Sequence, residues 1–355
     1  MENKILIDLE RLRYPNSGIA NVFRGLGKNL RESLDITLYI PRKDVSFFKD
    51  KKILIQKSLH KYFPFVYMNY EIIHVSHQLS SYFHFKFFYQ KKILTLHDLN
   101  FLHENISNFK QAKTIFNINR NIKNADVIVC ISDFVKNDFL KNISHFKIKN
   151  NPRIEVVHNG IDFPVIQIKD IEKYHFLKNK KFILNIGVLY PKKNQLSILE
   201  MMKYVDDDLV LVSADINSSY EKKIIDFITE NNLEQRVHFF KCITEEEKVW
   251  LLKNCRALVH PSIAEGFGVP PIEAMFFGKP VFLSNLTSLP EIGGDLAFYF
   301  QNFDAIHMSE VYKKGMSIYE ISAIEYSEKL EQRAKMFTTA NMIDGYERIY
   351  KSLLK

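Results

Sequence analysis

Short apolar runs alternate with amphipathic stretches along the whole chain. The first run, Lys4-Ile5-Leu6-Ile7-Asp8-Leu9, has the length of a strand and leads into a loop through Pro15-Asn16-Ser17 to Gly18. Ile19, Val22, Phe23, Leu26 and Leu30 then recur at three- and four-residue steps, the period of a helix with one buried face. Ile36 to Ile40 supplies the next strand and completes a βαβ unit. Further strands are predicted at Ile72 to Val75, Ile93 to Leu96, Val127 to Ile131 and Ile154 to Val157, which reads as a parallel sheet.

The second half repeats the plan. Strands are predicted at Phe182 to Ile186, Leu209 to Ser213, Val237 to Phe240, Ala257 to His260 and Val281 to Leu283, separated by helices. One helix start is well marked: Thr244 with Glu247 three residues on forms a capping box ahead of Val249, Leu251 and Leu252. Between the halves, about Phe163 to Lys180 is short of periodicity and follows the turn pair Asn159-Gly160. The domain division predicted is therefore 1–165 and 166–322, each Rossmann-like, with a helical segment 323–355 that can pack back on the first domain.

A chain of 355 residues exceeds one ordinary domain, which agrees with two α/β units sharing a cleft. With 46% hydrophobic and 25% charged residues it has the balance of a globular protein. No apolar run reaches the roughly 18 to 20 residues of a membrane span, and the start lacks a signal peptide's apolar stretch and small-residue cleavage site, so a cytoplasmic location is expected. Cys130, Cys242 and Cys255 are scattered, form neither a disulfide framework nor a metal-ligand pair, and read as small core residues. The net charge of +8 suits a protein that meets phosphates or an anionic membrane surface and does not single out nucleic acid.

The most informative segment runs from His260 to Val281. It reads as strand, glycine-bearing loop, helix and next strand, with Pro270 and Pro271 in the first helical turn and Gly278 at the helix end. The loop Glu265-Gly266-Phe267-Gly268 thus lies between a strand's carboxyl end and a helix's amino end, where backbone N–H groups and the helix dipole favour a phosphate. Glu265 lies on the loop and Glu273 in the first helical turn, eight positions on. A carboxylate beside an anion-binding turn needs a partner such as a sugar or ribose hydroxyl. The plainer alternative is that Glu265 caps the turn and Glu273 complements the helix dipole.

That segment resembles the Glu-x7-Glu signature of retaining glycosyltransferase family 4, which has the GT-B architecture of two Rossmann-like domains facing across a cleft. The likeness continues in the family's order through Gly18-Ile19-Ala20, Thr95-Leu96-His97-Asp98-Leu99, Cys130-Ile131-Ser132, Val157 to Asp162, Asn185-Ile186-Gly187, Pro191-Lys192-Lys193-Asn194 and Leu289-Pro290-Glu291. The resemblance implies that Glu265 and the backbone of Gly266, Phe267, Gly268 and Val269 hold the donor sugar and diphosphate. It places Glu273 at the ribose, Lys193 at the diphosphate and His97 at the reacting face of the sugar. Gly18 would let the first helix approach the phosphates, and the base would lie near Lys241 to Ile243. The chain departs from the family at two points. Val188 stands where many members have Arg, leaving Lys192 as the candidate second cation, and Lys241-Cys242 stands where Gly is common.

The implied partners are a nucleotide diphosphate sugar, GDP-mannose or a UDP-hexose, and a glycan or lipid-linked acceptor of the O-antigen or capsule kind. No metal or other cofactor is expected, because Lys193, backbone donors and a helix terminus can stabilise a leaving diphosphate. A non-catalytic nucleotide-sugar scaffold, and a phosphorylase or epimerase of the same architecture, are the alternatives.

Other signals point elsewhere. Asp206-Asp207-Asp208 contains an Asp-x-Asp but precedes a strand, away from the ligand edge, and is read as a solvated turn. His74 and His77 lack further ligands for zinc, and Gly25-Leu26-Gly27 lies inside a helix without the third glycine of a dinucleotide fingerprint. Tyr62 to Lys92 is rich in Phe and Tyr with interspersed Lys, a theme continued by Phe109, Lys110, Lys113, Phe116, Arg120 and Lys123. Two readings stand for it: a face for a membrane surface carrying a lipid-linked acceptor, or core aromatics with solvated lysines.

Overall fold

The computed structural model describes residues 4–14, 18–31, 33–104, 106–149, 151–163, 170–214 and 219–354. The Pro15-Asn16-Ser17 loop and the 165/166 boundary fall outside the described residues. The chain divides into two compact units, Met1–Asp162 with Phe337–Lys355, and Phe163–Met336.

Among the described residues of the first unit, seven strands are β1 Lys4–Asp8, β2 Asp35–Ile40, β3 Lys52–Ile55, β4 Ile72–Val75, β5 Lys91–Leu96, β6 Val127–Cys130 and β7 Arg153–Val156. They pair in parallel in the order β3-β2-β1-β4-β5-β6-β7. In the second unit, β8 Phe182–Ile186, β9 Asp208–Ser213, β10 Val237–Lys241, β11 Ala257–His260, β12 Val281–Ser284 and β13 Phe298–Phe300 pair in parallel as β10-β9-β8-β11-β12-β13. Central strands such as β4, β6, β11 and β12 are buried along their whole length, as a sheet covered on both faces requires.

The chain fills each sheet outward from its first strand, then returns to that strand's other side. The strand order therefore reverses between β1 and β4 in one unit and between β8 and β11 in the other. At such a switch point two loops leave the carboxyl ends in opposite directions and open the crevice in which ligands of this fold class bind.

Most strands lie within a residue or two of the sequence reading. The two edge strands β3 and β13 were not read from the sequence. β3 is a four-residue Lys-Ile-Leu-Ile segment with no fully buried residue, and β13 has three residues, so neither carries a long apolar run. The capping box at Thr244 and Glu247 forms, each side chain meeting the other's backbone N–H.

Helix Ala323–Lys335, grouped in the sequence reading with the returning tail, belongs to the second unit, where it lies against Val269–Phe276. Helix Thr339–Leu353 belongs to the first unit. Its return is fixed by a bridge between Ile161 and Thr338, and Gly160 leaves room for it: a Cβ there would sit 2.5 Å from Thr339 Cα.

Asp206 to Asp208 corrects the solvated-turn reading. Asp207 and Asp208 are buried; Arg256 Nη1 donates to both oxygens of Asp207 at 2.9 Å, and Lys180 and His238 donate to Asp208. Of the cysteines, Cys130 and Cys255 are core residues, but Cys242 is exposed.

Candidate active site

The carboxyl end of β8 runs through Gly187 into the short 3₁₀ turn Pro191–Lys193, closed by Asn194 in the left-handed conformation. The carboxyl end of β11 runs through residues 261–268 into helix Val269–Phe276. These are the two loops of the switch point, and they are stitched together: Ile263 N and Ser262 Oγ donate to the carbonyl of Lys192 at 2.7 and 3.1 Å. The stitching brings Lys193 to Glu265. Lys193 Nζ donates to Glu265 Oε1, and His260 Nε2 lies 2.7 Å from the same oxygen.

Both side chains of the pair are largely buried. Burial alone would raise the Glu265 pKa; Lys193 and His260 outweigh it and hold the carboxyl well below the usual range, so Glu265 is ionised at any working pH. A third loop shapes the glycine-bearing turn. Glu265 N donates to Thr287 Oγ1 at 3.2 Å, and Ser288 Oγ donates to the Phe267 carbonyl at 2.7 Å. Gly268 has φ +116°, and a Cβ there would meet Leu289 at 2.9 Å, so glycine is required on two counts. With Pro in the first helical turn and Gly268 before it, the helix opens without a side-chain cap among the described residues.

Glu273 takes a different partner. Lys248 Nζ donates to it at 2.8 Å and also pairs with Glu245. Burial raises the Glu273 pKa, with Lys248 opposing, so this carboxylate is the more easily neutralised of the two. Lys248, His260, Thr287 and Ser288 escaped the sequence reading. Lys248 lies five residues beyond Ile243, inside helix Glu245–Asn254, and nothing but its three-residue spacing from Glu245 marks it.

Ile243 lies half-buried after β10, next to Cys242 at φ +49°. The position where the family commonly has glycine therefore keeps a backbone that favours glycine. Lys241 pairs with Glu221. Lys192 is half-exposed and Val188 contributes its carbonyl to Gln195 Nε2 at 3.2 Å.

In the first unit the switch-point loops bear Gly18 and, beside β4, His77 and the end of β5 at His97. Helix Gly18–Asn29 begins at Gly18, where a Cβ would meet nothing within 4 Å among the described residues, so packing against them does not impose this glycine. His97 is buried, its Nε2 donating to the Ser76 carbonyl at 2.8 Å, while its buried Nδ1 has no hydrogen-bond partner among the described residues. Burial lowers its pKa to about 4, so it is a neutral imidazole with an acceptor nitrogen left over. Its ring stacks on His77 at 5.0 Å, and Arg11 Nη2 lies 3.0 Å from His77 Nδ1. His74, spanned by Tyr350 Oη and Thr95 Oγ1 at 2.8 Å each, is structural.

Two parallel sheets of reversing strand order, one of them presenting a cation, a carboxylate and a glycine-tight helix start at its switch point, define a two-Rossmann-domain protein of the glycosyltransferase class. The chain belongs to glycosyltransferase family 4: the model for Glycosyltransferase Family 4 matches residues 17–163 and that for glycosyl transferases group 1 matches residues 167–335. It is 27% identical over 213 residues to the O-antigen chain mannosyltransferase RfbU of Salmonella typhimurium, covering 59% of this chain and 56% of that protein. It is likewise 27% identical over 208 residues to the serotype-specific mannosyltransferase WbdA of Escherichia coli, covering 54% of this chain and 25% of that protein. The chain thus spans about half, or less, of the curated relatives it matches. Anabaena HepE, solved in complex with UDP, superposes with a TM-score of 0.75 at 16% identity, over 99% of this chain and all of that one.

Proposed function

We propose that the protein is a retaining, metal-independent hexosyltransferase that moves a sugar from a nucleotide diphosphate, GDP-mannose or a UDP-hexose, to a glycan or lipid-linked acceptor in surface-polysaccharide synthesis. The observation that carries this reading is the convergence of Lys193, Glu265 and the Gly266–Val269 turn at the second sheet's switch point. The mannosyltransferase names of RfbU and WbdA support a hexose donor, and the UDP complex of HepE supports a nucleotide in this fold.

In this reading the diphosphate lies against Lys193 and the amino end of helix Val269–Phe276, with Lys192 as the second cation. Glu265 and the backbone from Gly266 to Val269 hold the sugar, Glu273 holds the ribose and the base stacks near Ile243. Gly18 and His97 are the candidate residues of the first unit's own ligand edge, His97 as an uncharged acceptor for a sugar hydroxyl. The bond from the anomeric carbon to the leaving phosphate oxygen breaks while the acceptor oxygen bonds on the same face, and the acceptor's proton passes to the leaving phosphate. Charge that builds on the phosphate is stabilised by Lys193 and the helix terminus, so no cofactor is invoked. Among the described residues no helix is long and apolar enough to cross a membrane. The protein works in the cytoplasm, at the inner face of the cytoplasmic membrane where its acceptor is lipid-linked, without nucleic acid.

Release of nucleoside diphosphate from a panel of nucleotide sugars, with and without EDTA, tests the reading. Turnover of at least one donor in excess EDTA is expected. Activity that EDTA abolishes and manganese restores would overturn the mechanism, and binding without any turnover would turn the protein into a scaffold.

A further inference from the structure

The crossovers that flank β4 in the first unit are not α-helices. From β3 to β4 the chain passes through two 3₁₀ turns, Ser58–Lys61 and Pro64–Tyr67, and from β4 to β5 through fifteen residues with no assigned helix or strand. Short turns have no wide apolar stripe to bury, so the cover over the sheet is made from rings. Tyr39, Tyr67, Tyr82 and Phe83 form the inner layer, with Phe83 in contact with both Tyr39 and Tyr67 at ring centroids of 4.9 and 5.1 Å. Phe83 holds φ +58°, a conformation an aromatic residue rarely takes, and its carbonyl is fixed by the buried Lys92 Nζ at 2.7 Å.

Beyond that turn the rings face out. Phe87 joins Phe65, Phe85 and Tyr89 in one cluster, and Phe88 extends it against Tyr89. Phe65 is 67% exposed and Phe88 99%. Six of the eight phenylalanines exposed among the described residues lie on these crossovers or on the adjoining helix Asn108–Ile122. That helix is tied to the β4–β5 crossover by Asn121, whose Nδ2 donates to the carbonyls of Gln78 and Ser80. So large an aromatic area left in water is a cost that an ordinary soluble surface avoids. The charges along these segments are one-sided: residues 56–91 hold four lysines, of which Lys86 is paired with Asp126, against one acidic residue, and residues 107–124 hold four basic residues and none acidic.

We propose that this aromatic and basic face of the first unit is a docking surface for an anionic lipid bilayer, with Phe65 and Phe88 entering the interface and the surrounding lysines meeting lipid phosphates. The chemistry selects lipid over a second copy of the chain, because a self-contact would set lysines against lysines. A phospholipid surface accepts rings and cations together: rings settle at the headgroup boundary and each nearby cation gains from the negative surface potential. The proposal deepens the lipid-linked acceptor reading and rests on it only for the purpose of docking; binding to lipid is measurable with no sugar present.

The full chain is sedimented with vesicles of phosphatidylcholine carrying phosphatidylglycerol and, separately, of phosphatidylcholine alone. Pelleting with the anionic vesicles and little with the neutral ones is expected. Phe65→Ser with Phe88→Ser should lower the bound fraction on the order of tenfold, and Lys110→Glu with Lys113→Glu should reduce it and weaken its salt dependence. These side chains are exposed, so both variants should keep the wild-type circular dichroism and donor turnover on a soluble acceptor. No pelleting with anionic vesicles, or equal pelleting of wild type and the phenylalanine variant, overturns the proposal. A concentration-dependent dimer in sedimentation equilibrium that the phenylalanine variant abolishes would overturn it in favour of self-association. Either failure leaves the donor site untouched, whereas failure of all donor turnover with intact vesicle binding would count against the transferase reading alone.

Discussion

Lys193 and Glu265 come from loops 72 residues apart, and their pairing makes each part of the other's environment. A bound diphosphate would compete with Glu265 for the lysine. Glu265→Gln should therefore leave free nucleotide diphosphate affinity unchanged or tighter while lowering kcat, because the lost contact orients the sugar rather than the phosphate. Glu273, paired with Lys248 on a helix, should instead behave as a ground-state contact, and Glu273→Gln should chiefly raise donor KM. Steady-state kinetics with nucleotide titrations on both variants, circular dichroism confirming the fold, separate the two roles. If neither variant alters turnover or donor affinity, both glutamates are structural. The acidic motif, its lysine and the glycine turn were legible in the sequence because each is a local pattern. His260 and Lys248 were not: His260 meets Glu265, five positions on, only through the path of the loop between them, and Lys248 meets Glu273, 25 positions on, only when two helices pack together.

Elements report how much of the chain's local chemistry the fold obeys. Eleven of the strands declare themselves by apolar runs, while β3 and β13, at sheet edges, have too few buried positions to do so. The turn after β10 shows the reverse case, a residue at odds with its backbone. Cys242 holds φ +49°, which costs an L-residue about 1 to 2 kcal/mol, less the roughly 0.5 to 1 kcal/mol of extra chain entropy that glycine loses on folding. Cys242→Gly should therefore stabilise the protein by about 0.5 kcal/mol or slightly more, read as a rise in Tm; a fall would mean that the side chain makes a contact worth more than the strain. At the hinge of the returning helix the balance is opposite. Gly160→Ala would drive a Cβ into the Thr339 backbone and should destabilise by about 1 to 3 kcal/mol, the range of overpacking in a filled interior, measured by chemical denaturation.

At the scale of the molecule, the first unit stores buried neutral histidines that set its acid limit. Burial lowers the pKa of His74 to about 3 and of His97 to about 4, and lowers that of His77 well below the ordinary value. Each is neutral in the fold and takes up a proton on unfolding once pH drops below about 6.5, so stability is full above that pH and declines on acidification. Asp8 acts in the other direction: burial raises its pKa to about 7, so the folded state gains a proton over the same window and offsets one histidine. Burial also lowers the pKa of His84 to about 4, so the histidines outweigh Asp8 and the unfolded state binds more protons near pH 5. Denaturation midpoints between pH 7 and pH 4.5 check this, and a flat profile would mean that these rings are solvated.

The central claim is that the second sheet's switch point binds a nucleotide diphosphate through Lys193. Isothermal titration of the protein with GDP and with UDP, in EDTA, against the Lys193→Ala variant measures it directly. Wild type should bind at least one of the two, and the variant should bind it about tenfold to a hundredfold more weakly, the loss of one charge-assisted hydrogen bond at 1.4 kcal/mol per decade. Wild-type protein that binds neither nucleotide, or a folded variant that binds as tightly as wild type, would contradict the account.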